Sequence, residues 1–265
     1  MLLSDAERCR YETSTLHEVI CQLRFPAILS INTREPADFQ EEVRSLFPRY
    51  AVQRETPPAT LVQEGGVPRL KEEKAINNYT FLSENNRWKI NLTKDFIALS
   101  TLRYTGWEDF AGMLDPALAS FIRIYQPAFF ERIGLRYMNF ISREKLGLSS
   151  EPWEVLIADA YLGPLSESDP SVRIERSSVD FEMGLTGNAH CKIHAAPTHL
   201  QIKAPNAPVK TEQEEKFMLD LDFSMHGNIA PKLAAPGLET LHSFSYPVFR
   251  GAITETLHNA MGPRE

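Results

Sequence analysis

Glu131-Arg132-Ile133-Gly134-Leu135-Arg136-Tyr137, followed by a loop, the pair Glu151-Pro152 and an apolar-striped segment from Trp153 to Leu162, decides how this chain is read. The same order occurs once before. Glu18-Val19-Ile20-Cys21-Gln22-Leu23-Arg24-Phe25 precedes Glu35-Pro36, which opens the run Phe39 to Phe47. In the first copy Val19, Cys21, Leu23 and Phe25 alternate with Glu18, Gln22 and Arg24, the period-two signature of a strand with one buried face. Pro36 and Pro152 stand where the first turn of a helix tolerates proline, because that N–H would have no intrahelical partner. Two copies of one pattern point to a tandem duplication of an α+β unit.

Outward from the first copy, Tyr79 and Phe81 pair with Trp88, Ile90 and Leu92 as a hairpin around Glu84-Asn85-Asn86, since asparagine tolerates the left-handed conformations of tight turns. Phe96 to Leu102 is a further strand. Thr105-Gly106-Trp107-Glu108 has the form of a capping box. The helix it opens carries Phe110, Leu114, Leu118, Phe121 and Tyr125 on one stripe, and Asp115-Pro116 is expected to kink or restart it. Residues 54–75, with Pro57-Pro58, Gly65-Gly66 and Pro68, read as a mobile loop. Outward from the second copy, strands are expected at 132–141, 179–185, 190–202 and 217–225, a helix at 152–162 and a terminal helix at 236–261 interrupted at Pro247. Trp88, Trp107 and Trp153 each anchor an apolar stripe and read as core.

The expected fold is therefore α+β, a tandem duplication of a β-α-β-β-β-α unit. It would form an antiparallel curved sheet with helices packed on one face, leaving the other face as a groove. Residues 1–15 would be a flexible N-terminal arm, 16–126 the first half and 127–265 the second, packed with the first as one globular unit.

Composition narrows the function classes. With 265 residues and 43% hydrophobic content, the chain can bury a sizeable core. A net charge of −7 is the wrong sign for a general nucleic-acid binder, so nucleic acid is not an expected partner. Residues 1–8 hold no apolar stretch of the length a signal peptide needs, and no run reaches a membrane span. Cys9, Cys21 and Cys191 are scattered and odd in number, which fits free thiols in a reducing compartment. These features give the expectation of a cytoplasmic protein that does not enter a membrane.

Phe129-Phe130-Glu131-Arg132-Ile133-Gly134-Leu135-Arg136-Tyr137-Met138-Asn139 carries a resemblance, together with Glu18 to Phe25, Trp107-Glu108-Asp109-Phe110, and Leu241-His242 ahead of Phe249 and Ile253-Thr254-Glu255. The chain resembles, over nearly its whole length, an uncharacterised family distributed sporadically among bacteria and archaea. The resemblance implies no activity, substrate or catalytic residue. Its patchy distribution is compatible with mobile elements or defence-linked operons.

The candidate site residues are ionic. Asp180 and Glu182 share one face of their strand, Asp220 and Asp222 share a face of theirs, Arg132 and Arg136 share a face of 132–141, and Arg24 lies on the polar face of the first strand. A solvated face with weak cross-strand ion pairs accounts for such a pattern. So does a polar groove in which an arginine clamps an anionic group and carboxylates orient it. Paired carboxylates are also the groups that hold a divalent cation or do acid–base work. His190, His194 and His199 surround Cys191, but on a strand residues four apart are separated by about 13 Å, too far to share one metal ion. Asn139, between Met138 and Phe140, needs hydrogen-bond partners if buried. No Gly-x-Ser-x-Gly elbow, phosphate-binding glycine loop or dinucleotide fingerprint is present. The expectation is a non-enzymatic binding protein without a cofactor, recognising a small charged ligand or a protein partner through its polar sheet face. The alternatives are a metal-dependent hydrolase or nuclease using strand carboxylates, and a protein-interaction component of a defence or toxin–antitoxin system.

Overall fold

The computed structural model describes residues 2–56, 60–64, 67–71, 75–167, 171–202 and 210–264. The chain begins with β1 (Arg10–Tyr11) and β2 (Leu16–Arg24), then two short helices, α1 (Leu29–Thr33) and α2 (Ala37–Val43). Six strands follow: β3 (Arg49–Glu55), β4 (Thr60–Glu64), β5 (Val67–Lys71), β6 (Ile76–Leu82), β7 (Trp88–Leu92) and β8 (Phe96–Thr101). After α3 (Trp107–Tyr125) come β9 (Phe130–Ile141), α4 (Trp153–Leu156) and α5 (Asp159–Leu162). The remainder is β10 (Val179–Gly184), β11 (Ala189–Thr198), β12 (Gln201–Ile202), β13 (Lys210–Thr211), β14 (Lys216–Ile229), α6 (Ala234–Ala252), α7 (Glu255–Ala260) and β15 (Pro263–Arg264).

Among the described residues, nine strands form one large sheet in the order β10-β11-β14-β9-β2-β8-β7-β6-β3. The paired registers run antiparallel, for example β10 with β11, β11 with β14 and β6 with β7. The mixed α+β class expected from the sequence is thus the class observed. By packing, the chain divides into two compact units whose boundaries fall inside β2, β9 and β14 and at the start of α6. One comprises Met1–Val19, Gly134–Met225 and Pro236–Glu265, and the other Ile20–Ile133 and His226–Ala235.

The Ile20–Ile133 unit is built on aromatic packing. Phe25, Phe39, Phe81, Phe110, Phe121 and Phe130 are all fully buried. Phe25 lies 4.8 Å from Phe121 between ring centroids, and Phe39 lies 5.3 Å from Phe81. The hairpin turn places Asn86 at φ 55°, the left-handed conformation expected there. Three expectations need correction in this unit. The capping box does not form: α3 begins after Gly106, and the Thr105 hydroxyl donates instead to the Asp109 carboxylate. Pro116 does not restart the helix, because it sits on the exposed side, where the Gly112 carbonyl that loses its N–H partner can turn to water. Much of the supposed loop at 54–75 is strand, with β4 and β5 pairing from Thr60 opposite Lys71 to Glu64 opposite Val67. Pro57, Pro58, Gly65 and Gly66 lie outside the described residues. Strand β3 left no sequence signature because all seven of its residues are exposed, so no buried face imposes alternation.

The other unit packs α4, α5 and α6 against β9, β10, β11 and β14. Trp153 stacks obliquely on Phe217 at 5.4 Å, and Tyr161 on Phe181 at 5.7 Å. The helix expected at 152–162 is two short turns separated by Ile157 and Ala158. The reason is a tertiary pairing: Ile157 bridges Ile253, and the Ala158 N–H donates to the Ala252 carbonyl at 2.9 Å. The same pairing moves the break in the terminal helix from Pro247 to Ile253-Thr254, where Thr254 caps α7 by accepting from the Leu257 N–H at 3.4 Å. Part of the stretch 1–15, expected as a flexible arm, is paired. β1 pairs β15, and the Glu12 and Thr13 N–H groups donate to the Gly262 and Met261 carbonyls.

Candidate functional site: a charged ladder on one sheet face

Register decides which side chains meet. Asp180 of β10 stands opposite His194 of β11, which stands opposite Asp220 of β14. One step along, Glu182, Lys192 and Asp222 are aligned, and His190 stands opposite Ser224. Successive strand residues point to opposite faces, so these groups share one face. Cys191, Ile193, Leu219, Leu221 and Phe223 occupy the other and are buried.

β9 extends the first row. Arg136 donates from Nε to Asp220 Oδ1 at 2.8 Å and from Nη2 to Asp220 Oδ2, a two-pronged contact that uses the planar fork of the guanidinium. The arginine side chain is 41% exposed and the aspartate 11%. The hydrogen bonds to Asp220 raise the Arg136 pKa despite partial burial, and the nearby charges of Asp222 and Glu18 act in the same direction. At the far end His194 Nδ1 lies 2.7 Å from Asp180 Oδ1. That bond holds the Asp180 carboxyl below its ordinary pKa. His190 Nδ1 is 3.6 Å from Glu182 Oε1, an ion-pair distance when the imidazole is charged.

Five of the seven expected residues, Arg136, Asp180, Glu182, Asp220 and Asp222, are therefore gathered on one face of one unit. Arg24 ends β2 with an exposed side chain, and Arg132 is half-buried on β9; both belong to the Ile20–Ile133 unit. Arg136, expected as a clamp for an anion, has its Nε and Nη2 donors given to Asp220. On this face of the unit the carboxylates Asp180, Glu182, Asp220 and Asp222 outnumber the cations Arg136, Lys192 and Lys216, and Lys216 is itself paired with Glu212. Among the described residues, no three His, Cys, Asp or Glu side chains are grouped to hold one metal ion.

A second polar cluster escaped the sequence reading. Arg8 Nη1 lies 3.0 Å from His242 Nε2, and Tyr137 Oη lies 2.8 Å from His242 Nδ1. A guanidinium only donates, so Nε2 accepts and the ring proton sits on Nδ1, donating to Tyr137. Burial first, and then the Arg8 charge, lowers the His242 pKa to about 4. Close by, Tyr11 Oη meets His258 Nδ1 at 2.8 Å, and Cys9 Sγ meets Tyr246 Oη at 3.3 Å. Partners separated by over a hundred positions leave no spacing to read. The one available signal was a histidine next to the apolar stripe of a helix, Leu238, Leu241 and Val248.

No family model matches the chain, and no curated protein matches it.

Proposed function

We propose that the protein is a non-enzymatic binding protein whose charged sheet face, presented by β9, β10, β11 and β14, receives a positively charged ligand or protein segment. The observation that carries this reading is the two-pronged contact from Arg136 to Asp220. With that arginine occupied, the excess on the face is acidic, and Asp180 and Glu182 are 54% and 60% exposed. Carboxylates two residues apart on a strand repeat every ~7 Å, the spacing of alternate side chains on an extended chain. A segment with Lys or Arg at alternate positions matches that repeat. Binding rather than catalysis is supported by the order across the strands. Carboxylates alternate with His194, Lys192 and Arg136, so none stands apart from a basic neighbour.

Exposed pairs contribute little one at a time and are screened by salt, so affinity should be modest and ionic-strength dependent. Calorimetric titration with a short Lys/Arg peptide and with spermine tests the proposal, with inorganic polyphosphate as the opposite-sign probe. Binding of the cations, weakened about tenfold or more by the double variant Glu182→Gln/Asp222→Asn, is expected. Binding of polyphosphate instead, or cation binding that ignores the double variant, rejects it.

The tandem-unit reading belongs with this proposal. In each half of the chain the first strand neighbours the last, β2 beside β8 and β9 beside β14. The strands between step outward to an edge, as β8-β7-β6-β3 in one half and β14-β11-β10 in the other. This common winding supports descent from one duplicated unit, with one more strand in the first copy.

A further inference from the structure

We propose that residues 4–13 form a strap latched to α6 by the Arg8–His242 contact, and that the strap lets go when His242 takes up a proton. The strap is held mainly by polar contacts. The Ser4 N–H donates to the Pro247 carbonyl at 3.0 Å, and Arg8 Nη2 donates to the His242 carbonyl at 3.1 Å and to Ser245 Oγ at 3.3 Å. β1 pairs with β15, and Tyr11 meets His258. Arg8 itself is exposed, and so are Asp5, Ala6, Glu7 and Arg10. A segment with few buried apolar contacts opens at lower free energy than the core.

His242 is the point where a proton changes the contact from attractive to repulsive. Its Nε2 has a donor-only partner, so a proton there sets two donors and two positive charges against each other at 3.0 Å. The ring nitrogens meet Arg8 from the strap and Tyr137 from β9, and neither partner is a carboxylate. Glu239 lies one turn earlier on α6 and Glu7 next to Arg8 in the chain, yet burial and Arg8 are what move the titration. His258 differs in kind. Its partner is the Tyr11 phenol, whose oxygen can accept from a protonated ring, and although burial and then Arg250 lower its pKa, Glu255 opposes them.

Release of the strap removes the Arg8 charge and the strap's share of the burial that together hold His242 at about 4, so its pKa moves up toward the ordinary 6.5. Between pH 7.5 and 5.0 the open-to-closed ratio should therefore rise, by roughly 30-fold at the limit of full exposure of the ring. Amide hydrogen exchange of the full chain at the two pH values, corrected for intrinsic rates, reads this directly, with β9 amides reporting that the core stays folded. Protection of residues 4–13 should fall several-fold, up to roughly 30-fold, in the wild type. It should not change with pH in His242→Gln, which keeps an acceptor for Arg8 that does not titrate. Arg8→Met should leave the strap open at both pH values, an arm that holds even if the His242 variant fails to fold. Strap protection that is the same at both pH values in the wild type overturns the proposal. An equal acid response in His242→Gln, or an Arg8→Met strap as protected as the wild type, overturns it as well.

Discussion

Asn139 is 2% exposed, and both ends of its amide are engaged: Oδ1 accepts from the Thr15 hydroxyl at 3.0 Å, and Nδ2 donates to the Leu219 carbonyl at 3.2 Å. Replacing it by Leu strands two buried partners at once, so a loss of about 2–4 kcal/mol is expected in urea denaturation. A change below about 0.5 kcal/mol would mean that water takes over both contacts. His242 carries a different signature. Its folded pKa is depressed, so its contribution to stability is complete above about pH 6.5 and is lost as pH falls toward about 4. The loss is at most about 3 kcal/mol, and it should be absent from the difference curve of His242→Gln. At this scale the sequence was partly legible. The demand of a buried Asn139 for partners follows from its place among apolar neighbours. That Arg136 would spend its fork on Asp220 does not, because a 2.8 Å contact between strands eighty-four positions apart depends on which strands become neighbours.

Helix α3 tolerates Pro116 by turning it to solvent, but it still lacks one backbone hydrogen bond there. Pro116→Ala restores the donor without touching the buried stripe, and a gain of about 1–3 kcal/mol in thermal or urea unfolding is expected. Gly163 is the reverse case. It closes α5 with φ 56°, and an added Cβ would lie 2.8 Å from Val179 Cγ2. Gly163→Ala should therefore destabilise by about 1 kcal/mol or more, since the left-handed backbone and the contact both oppose it. Strands with one buried face, such as β2, β9 and β14, and β10 with one half-buried face, were legible because burial imposes alternation. Strand β3, exposed throughout, was not. Nor were the breaks at Ile157 and Ile253, which arise from pairing two distant segments and not from any local breaker. Proline misled twice for the same reason: at Pro116 and Pro247 the rest of the helix packs well enough to outweigh one missing bond.

Across the molecule, an excess of seven negative charges sets the sign of any long-range attraction, and the ladder on β10, β11 and β14 gives that attraction a place. Among the described residues, no helix is long and apolar enough to cross a membrane. Raising ionic strength from low to physiological values should weaken cation binding several-fold, because the contacts are exposed and within reach of screening ions. The most direct measurement is a two-dimensional amide NMR titration with the short Lys/Arg peptide. The account predicts shifts concentrated at Asp180, Glu182, Lys192, His194 and Asp222, fading in the Glu182→Gln/Asp222→Asn variant. Shifts centred elsewhere on the chain, or the same five residues answering to polyphosphate, would contradict it.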